Sequence, residues 1–324
     1  MITSHLRKPD GALISPVSDE AMRQALASGE GLLWIDLEAA SEAEASILSD
    51  VFQFHHLAIE DCFNTHVDPA KIDDYGDYLF LISQAISSVD GDGRLETTEL
   101  DLYLGRNYVV SFHSQPLPFV QEIRLRCEKN GLDMARGADF LAHSLLDQLV
   151  DGYQPIVEQL DEQLEHVEEQ VLAEPHASFL EEILLLKRNV QRLRRTLIPQ
   201  RDMVNRIARG EFPKLVREES YVYFRDIYDH VVRVAELVES VRDLADGVLN
   251  SYLSAINNRM NEVMKTLSVV ASILLPLTFI ASIYGMNFQH MPELTWRYGY
   301  VLALGAMLAV ALGLAMFFRL RRWF

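Results

Sequence analysis

Two long apolar runs near the C-terminus constrain this chain more than any other feature. The first, Thr266 to Ile283, reads TLSVVASILLPLTFIASI and carries no charge. The second, Tyr298 to Phe318, is also uncharged and is rich in Gly, Ala, Leu and Val. A helix needs about 20 residues to cross a hydrocarbon core of roughly 30 Å, and each run has about that length. Between them lies one short polar stretch, Tyr284-Gly-Met-Asn-Phe-Gln-His-Met-Pro-Glu-Leu294. A pair of buried core helices is the alternative. Two uncharged runs this long, adjacent in an otherwise acidic chain, point instead to a membrane hairpin. Its expected parts are spans at about 266–286 and 298–318, an outside loop at 287–297 and a tail at 319–324.

Charge supports that division. The formal charge is −18 over 324 residues. From Thr266 onward there are four basic residues (Arg297, Arg319, Arg321, Arg322) and one acid (Glu293), a net of +3, so the first 265 residues hold −21. An acidic soluble part lacks the basic footprint that nucleic-acid binding needs, and it suits an assembly that gathers cations. The N-terminal stretch MITSHLRKPDGALISPV has no apolar h-region, so no secretory signal is expected there. Arg259 and Lys265 precede the first span and three arginines follow the second, which places both flanks in the cytoplasm and the hairpin in the cytoplasmic (inner) membrane. Cys62 and Cys127 have no metal-ligand spacing and read as free thiols.

The remaining chain divides by pattern. Residues 1–136 mix strand and helix signals, predicting an N-terminal α/β domain. Gly31 to Glu38 reads as a buried strand, followed by an amphipathic helix over Ser41 to Phe52 with a Ser41/Glu44 capping box. Strands are expected at Tyr78–Ser88, Glu99–Leu104 and Asn107–His113. Asp90-Gly-Asp-Gly93 reads as a hairpin turn and not a calcium loop, since Arg94 and Leu95 stand where a ligand and a Gly are required. Residues 137–214 predict a helical hairpin, Ala138 to about Leu172 and Phe179 to about Arg209. Its acidic first arm could pair with its partly basic second arm.

Residues 215–265 predict a long stalk helix. Apolar side chains fall at 224, 227, 231, 234, 238, 241, 245, 248, 252 and 255, an unbroken three-four alternation. That is the seam of a helix packed lengthwise on other helices, in this chain or in other subunits. No breaker separates the stalk from the first apolar run, so one helix is expected to enter the bilayer.

One stripe of that helix combines polar ends with an apolar middle: Asn250, Asn257, Asn261, Met264, Leu267, Ala271, Leu275, Thr278, Ser282 and Asn287. Arranged round an axis, it could line a pore with wet mouths and an apolar throat. The competing reading is that Ser and Thr merely help helices pack. Neither span carries a carboxylate or Lys, which argues against a proton-relay pump and for a path built on amides and carbonyls.

Tyr284-Gly285-Met286-Asn287, followed by Met291-Pro292-Glu293-Leu294, strongly resembles the signature loop of the CorA-type divalent metal cation transporter family. Asn261-Glu-Val-Met-Lys265, Leu275-Pro-Leu-Thr-Phe-Ile280, Arg321-Arg-Trp-Phe324, His56-Leu-Ala-Ile-Glu-Asp61, Asn64-Thr-His66 and Tyr223-Phe-Arg-Asp-Ile-Tyr-Asp-His230 are similar to that family as well. The resemblance covers nearly the whole chain. It implies a funnel-shaped homopentamer with an α+β cytoplasmic domain (an α/β/α sandwich), a long stalk helix and a two-helix transmembrane hairpin.

The family conducts hydrated Mg²⁺, often Co²⁺ or Ni²⁺, and a related branch moves Zn²⁺. By position, the resemblance makes Gly285, Met286 and Asn287 the selectivity filter. Asn261 and Thr278 become further polar rings, and Leu267 and Leu275 the hydrophobic constriction. Asp226 matches a stalk carboxylate of an inter-subunit regulatory metal site, whose partner is expected among Asp73, Asp74 and Asp77. No covalent cofactor is implied.

The loop departs from the family pattern at Gln289-His290, where many relatives carry an acid, leaving Glu293 as its only anion. His290 is a ligand type favoured by Zn²⁺, and Asp226 and His230, four residues apart, share a helix face that could hold a transition metal. A Zn²⁺ transporter, proton-coupled or not, is therefore the alternative ion assignment; the retained Met291-Pro-Glu-Leu favours the Mg²⁺ type. A non-conducting membrane-anchored scaffold or metal sensor is the alternative of another class. Enzyme readings find no phosphate-cradling Gly-Lys loop, no His-Glu-x-x-His and no nucleophile elbow.

Overall fold

The computed structural model describes residues 1–324 apart from 65–66, 90–92, 288–290, 293–295, 322 and 324. The chain divides into two compact units, Met1–Glu169 with His176–Leu249, and Gln170–Pro175 with Asn250–Phe324.

The first unit is built on a seven-stranded sheet in the order β2-β1-β3-β7-β6-β5-β4. The strands are β1 (Ile2–Arg7), β2 (Leu13–Ile14), β3 (Leu32–Glu38), β4 (Lys71–Asp74), β5 (Tyr78–Val89), β6 (Leu95–Gly105) and β7 (Tyr108–His113). All neighbours are antiparallel except β3 and β7, which run parallel. A parallel pair is covered on both faces, and β3 reads accordingly, LLWIDLE, buried at all but its last residue.

On one face Leu33, Ile35, Leu37, Phe80, Ile82, Tyr103, Val110 and Phe112 pack with residues of α1 (Asp19–Ser28), α2 (Ser46–Asp50) and α3 (His56–Cys62). Later helices are α4 (Pro118–Asn130), α5 (Leu132–Ala135), α6 (Ala138–Asp151), α7 (Gln154–Ala173) and α8 (Ala177–Ala208); α6 packs against β5, β6 and β7 and α8 against β4 and β5, with α4 and α5 beside α6. This is the expected α/β/α layering on a mixed sheet.

Three local expectations are corrected. The Ser41/Glu44 box forms, with Ser41 N donating to Glu44 at 2.9 Å and Glu44 N to Ser41 Oγ at 3.4 Å, but it caps a turn that leads into only the short α2. The single helix expected over 138–172 is two: Gly152 ends α6, Pro155 falls in the first turn of α7, and between them Tyr153 turns inward to donate its hydroxyl to the Gln84 carbonyl of β5. The stalk helix, α9, begins at Tyr221 and not at 215. Before it, Arg217 N and Ser220 Oγ both donate to the buried Asp139 carboxylate, at 3.0 and 2.8 Å, which holds the chain in a tight turn. Residues 90–92 of the expected hairpin turn lie outside the described residues.

The α9 seam is buried within this chain from Phe224 to Tyr252. Alongside it, Lys187 and Arg194 of α8 pair with Asp246 and Glu239 of α9, so these basic residues face the stalk and not the acidic α7.

In the second unit α9 continues without interruption to Tyr284. It passes through Pro276, which has no N–H to offer the carbonyl one turn earlier. Arg259 donates to the Pro175 carbonyl at 3.3 Å. The last helix, α10 (Gly299–Leu320), carries no acid or Lys, and a cleft of about 460 Å³ between Ala281 and Tyr284 of α9 and Tyr300, Ala303, Leu304 and Met307 of α10 marks where the two helices meet. Both helices are long and apolar enough to cross a membrane, and almost none of either apolar segment is buried within the chain.

Candidate ion path and metal-ligating clusters

The polar-apolar-polar stripe survives as geometry. At about 100° per residue, Asn250, Asn257, Asn261, Met264, Leu267, Ala271, Leu275, Thr278 and Ser282 fall within roughly one third of the α9 circumference. Every one of them is exposed in the single chain, with Leu275 at 72%. Exposure on this scale leaves a large apolar strip that a lone soluble chain would not tolerate.

The Thr278 hydroxyl donates to the Leu274 carbonyl at 2.9 Å, which uses its proton inside the helix and leaves its oxygen lone pairs as acceptors facing outward. An acceptor presented this way suits the hydrogens of a hydrated cation. At the helix end Gly285 N donates to Ala281 O and Ser282 O at 3.0 and 3.2 Å, and Met286 N to Ile283 O at 3.3 Å. This tightened last turn brings exposed Gly285, Met286 and Asn287 to a helix C-terminus, the negative end of the helix dipole. His290 and Glu293 lie outside the described residues.

A second candidate site sits in the first unit, where α6 meets α9. Asp147 and Asp151, one turn apart on α6, converge with His230 of α9 so that one ligand atom from each lies within 4.8 Å of the others. His230 Nδ1 is 3.5 Å from Asp151, and its Nε2 is 4.0 Å from Asp226. Burial, reinforced by the Asp151 charge, raises the Asp147 carboxyl above the usual range. Carboxylates crowded beside an imidazole offer mixed oxygen and nitrogen donors of a kind that suits a divalent ion. His143, pushed down to about 4 by burial, backs this corner as a neutral ring against Tyr223 and Phe224.

Spacing on α9 already paired Asp226 with His230; it could not supply Asp147 and Asp151. The available signal was their own four-residue interval at the end of a helix. Asp73, Asp74 and Asp77 are placed elsewhere in the chain: Asp73 lies 3.5 Å from Lys71, Asp74 accepts from Gly76 N at 2.7 Å, and Asp77 is exposed on the β4–β5 turn.

A mixed α/β/α unit continuing through one long helix into two helices long and apolar enough to cross a membrane is the architecture of a membrane-spanning protein. The chain belongs to the CorA-like Mg²⁺ transporter protein family, whose family model matches residues 29–322. It is 39% identical over 291 residues to the putative metal ion transporter YfjQ of Bacillus subtilis, covering 90% of this chain and 89% of that one. It is 36% identical over 292 residues to the cobalt/magnesium transport protein CorA of Thermotoga maritima, covering 90% and 83%. The solved CorA magnesium transporter of Methanocaldococcus jannaschii superposes with a TM-score of 0.84 at 22% identity, covering 98% of this chain and 97% of that one.

Proposed function

We propose that the chain forms a homopentameric path for hydrated divalent cations, Mg²⁺ first among them, with both termini in the cytoplasm. The observation that carries this reading is the exposed stripe on an uncharged helix, polar at both ends and aliphatic between, ending at Asn287. Five copies round an axis would cover the exposed leucines against each other and leave the stripe facing the lumen. The Asn287 amide oxygens, with the Gly285 and Met286 carbonyls, then accept from the water shell that Mg²⁺ gives up reluctantly. Asn261 and Thr278 supply further polar rings, and Met264, Leu267, Ala271 and Leu275 supply a throat that closes by dewetting.

Asp147, Asp151, His230 and Asp226 would hold a regulatory divalent ion, which stabilises the closed arrangement by neutralising their crowded charge. Zn²⁺ is the second reading, favoured by an imidazole set between two carboxylates in that cluster.

Ion flux into proteoliposomes tests the path. Asn287→Ala should reduce Mg²⁺ uptake at least tenfold while the protein still reconstitutes, and undiminished uptake would remove Asn287 from the filter. Asp151→Asn combined with His230→Gln should leave flux high at internal Mg²⁺ concentrations that shut the unaltered protein. Unchanged inhibition in that variant would remove the cluster from regulation. Parallel Mg²⁺ and Zn²⁺ assays, with and without a pH gradient, separate the two ions, and absence of flux for either would return the non-conducting sensor.

A further inference from the structure

The sheet holds a second set of ligands, remote in sequence from the stalk. In the parallel pairing of β3 with β7, Asp36 stands opposite Ser111 and Glu38 opposite His113. Strand alternation puts Asp36 and Glu38 on the same face, away from Leu33, Ile35 and Leu37. One ligand atom each from Asp36, Glu38 and His113 lies within 4.8 Å of the others.

Their surroundings are organised as those of metal ligands are. His113 Nδ1 is 2.6 Å from the Gln115 carbonyl, to which it donates, so Nε2 is the nitrogen turned inward. Ser111 Oγ donates to Asp36 at 2.6 Å and itself accepts from Trp34 Nε1 at 3.1 Å, which locks the Asp36 carboxylate. Such outer partners fix the tautomer and direction of a ligating side chain.

Two of the inward atoms, on His113 and Glu38, lack hydrogen bonds. His113 Nε2 lies 3.3 Å from Asp36 Oδ1 without the alignment of a hydrogen bond, and Glu38 Oε2 is buried without a partner. His113 is 1% exposed, so its Nε2 is not rescued by bulk water. An ion bound tetrahedrally at 2.0–2.1 Å sets its ligand atoms about 3.3 Å apart, the separation already present between Asp36 and His113.

Protonation of His113 would answer part of this. The Asp36 charge opposes burial and holds the imidazole above its ordinary value. An imidazolium still leaves two carboxylates against one positive charge, with Glu38 Oε2 unsatisfied. A divalent ion on a neutral imidazole balances the charge and satisfies the two unpartnered atoms, His113 Nε2 and Glu38 Oε2. Glu38 is only half-buried and provides the way in.

We infer that Asp36, Glu38 and His113 form a divalent transition-metal site of the Zn²⁺ or Co²⁺ class inside the soluble sheet, separate from both the ion path and the α6–α9 cluster. Two carboxylates and one imidazole suit these ions better than Mg²⁺, which prefers oxygen alone. The site joins the parallel strand pair at the middle of the sheet, so its ion acts on the stability of the soluble unit.

The test is Co²⁺ titration of the full chain in detergent after chelator treatment, read by visible d–d absorption and by metal bound per chain. The expected result is that one of the bound equivalents, with nitrogen–oxygen bands, is lost, or weakened at least tenfold, in both His113→Gln and Glu38→Gln. The same equivalent persists when Asp151→Asn and His230→Gln are combined. Glu38→Gln is isosteric and at the rim, so it keeps the test decisive if His113→Gln fails to fold, as judged by the emission of buried Trp34. Wild-type stoichiometry and affinity in folded Glu38→Gln would overturn the inference, as would retention of the equivalent in His113→Gln.

Discussion

Asp139 anchors the start of the stalk, and its removal has a calculable cost. The carboxylate is 2% exposed and accepts from Arg217 Nε at 2.9 Å, from Arg217 N at 3.0 Å and from Ser220 Oγ at 2.8 Å. In Asp139→Ala the Arg217 guanidinium, itself half-exposed, returns to water at little cost. The Arg217 amide and the buried Ser220 hydroxyl do not. Each donor left without an acceptor costs about 1–3 kcal/mol, so the variant should lose roughly 3 kcal/mol. Asp139→Asn keeps one acceptor oxygen and should lose about half as much.

The assay is urea unfolding of the full chain in detergent, followed by the emission of Trp34, which is fully buried in the sheet, with Trp296 and Trp323 changed to Phe. At a slope near 3 kcal/mol per molar urea, the Asp139→Ala midpoint falls by about 1 M. Hydrogen bonds from Arg217 and Ser220 outweigh burial and hold the Asp139 carboxyl below its ordinary range, so the linkage sign is fixed. Its contribution is complete above the unfolded value of about 3.9 and is lost as pH falls through the depressed folded value. The unaltered chain therefore weakens in acid more steeply than Asp139→Ala. A midpoint shift under about 0.3 M, or parallel acid profiles, would refute this account of the turn.

Two further outcomes follow from the same unit. Burial raises Glu99 to about 7, in a cleft of about 670 Å³ that it shares with Asp101, Arg192 and Arg195. A raised carboxyl favours the folded state at low pH, and that advantage is lost from about 4.3 up through its folded value. Glu99→Gln should flatten the urea midpoint across that window and raise it at pH 8; an unchanged profile would show that Glu99 ionises normally. Gly247 lies inside α9 with open space where a Cβ would stand, so Gly247→Ala should stabilise the chain by about 0.5–1 kcal/mol through helix propensity. A lowered midpoint would mean that this position is covered in the assembled protein.

Patterns that repeat along the chain were legible because period alone determines them. The uncharged runs pointed to two membrane-length helices and the three-four alternation from Phe224 to Tyr252 to a packed stalk, while the family came from resemblance and not from period, through Tyr284-Gly-Met-Asn287 with Met291-Pro-Glu-Leu294 and the further matching stretches. A boundary was less legible where a distant partner sets it: Asp139 delays the stalk by holding Arg217 and Ser220, whereas the break after Asp151 falls at Gly152 and Pro155, a signal already in the sequence.

Charge and heptad pattern could not say whether the seam packs within the chain or between chains, because Val231 or Val238 looks the same against any apolar neighbour. Folding decides it, by laying α9 within the chain beside α8, where Lys187 and Arg194 meet Asp246 and Glu239. The candidate ligand clusters depend still more on tertiary structure. Asp147 and Asp151 join His230 across two helices some eighty residues apart, and Asp36 and Glu38 meet His113 only through the parallel register of β3 on β7. A coordination site is defined by directions converging within a few ångströms, and linear spacing encodes those directions only when all ligands share one element. The stripe ending at Asn287 shares one helix and was visible from the residues alone; these two clusters, each drawn from two elements, needed the fold.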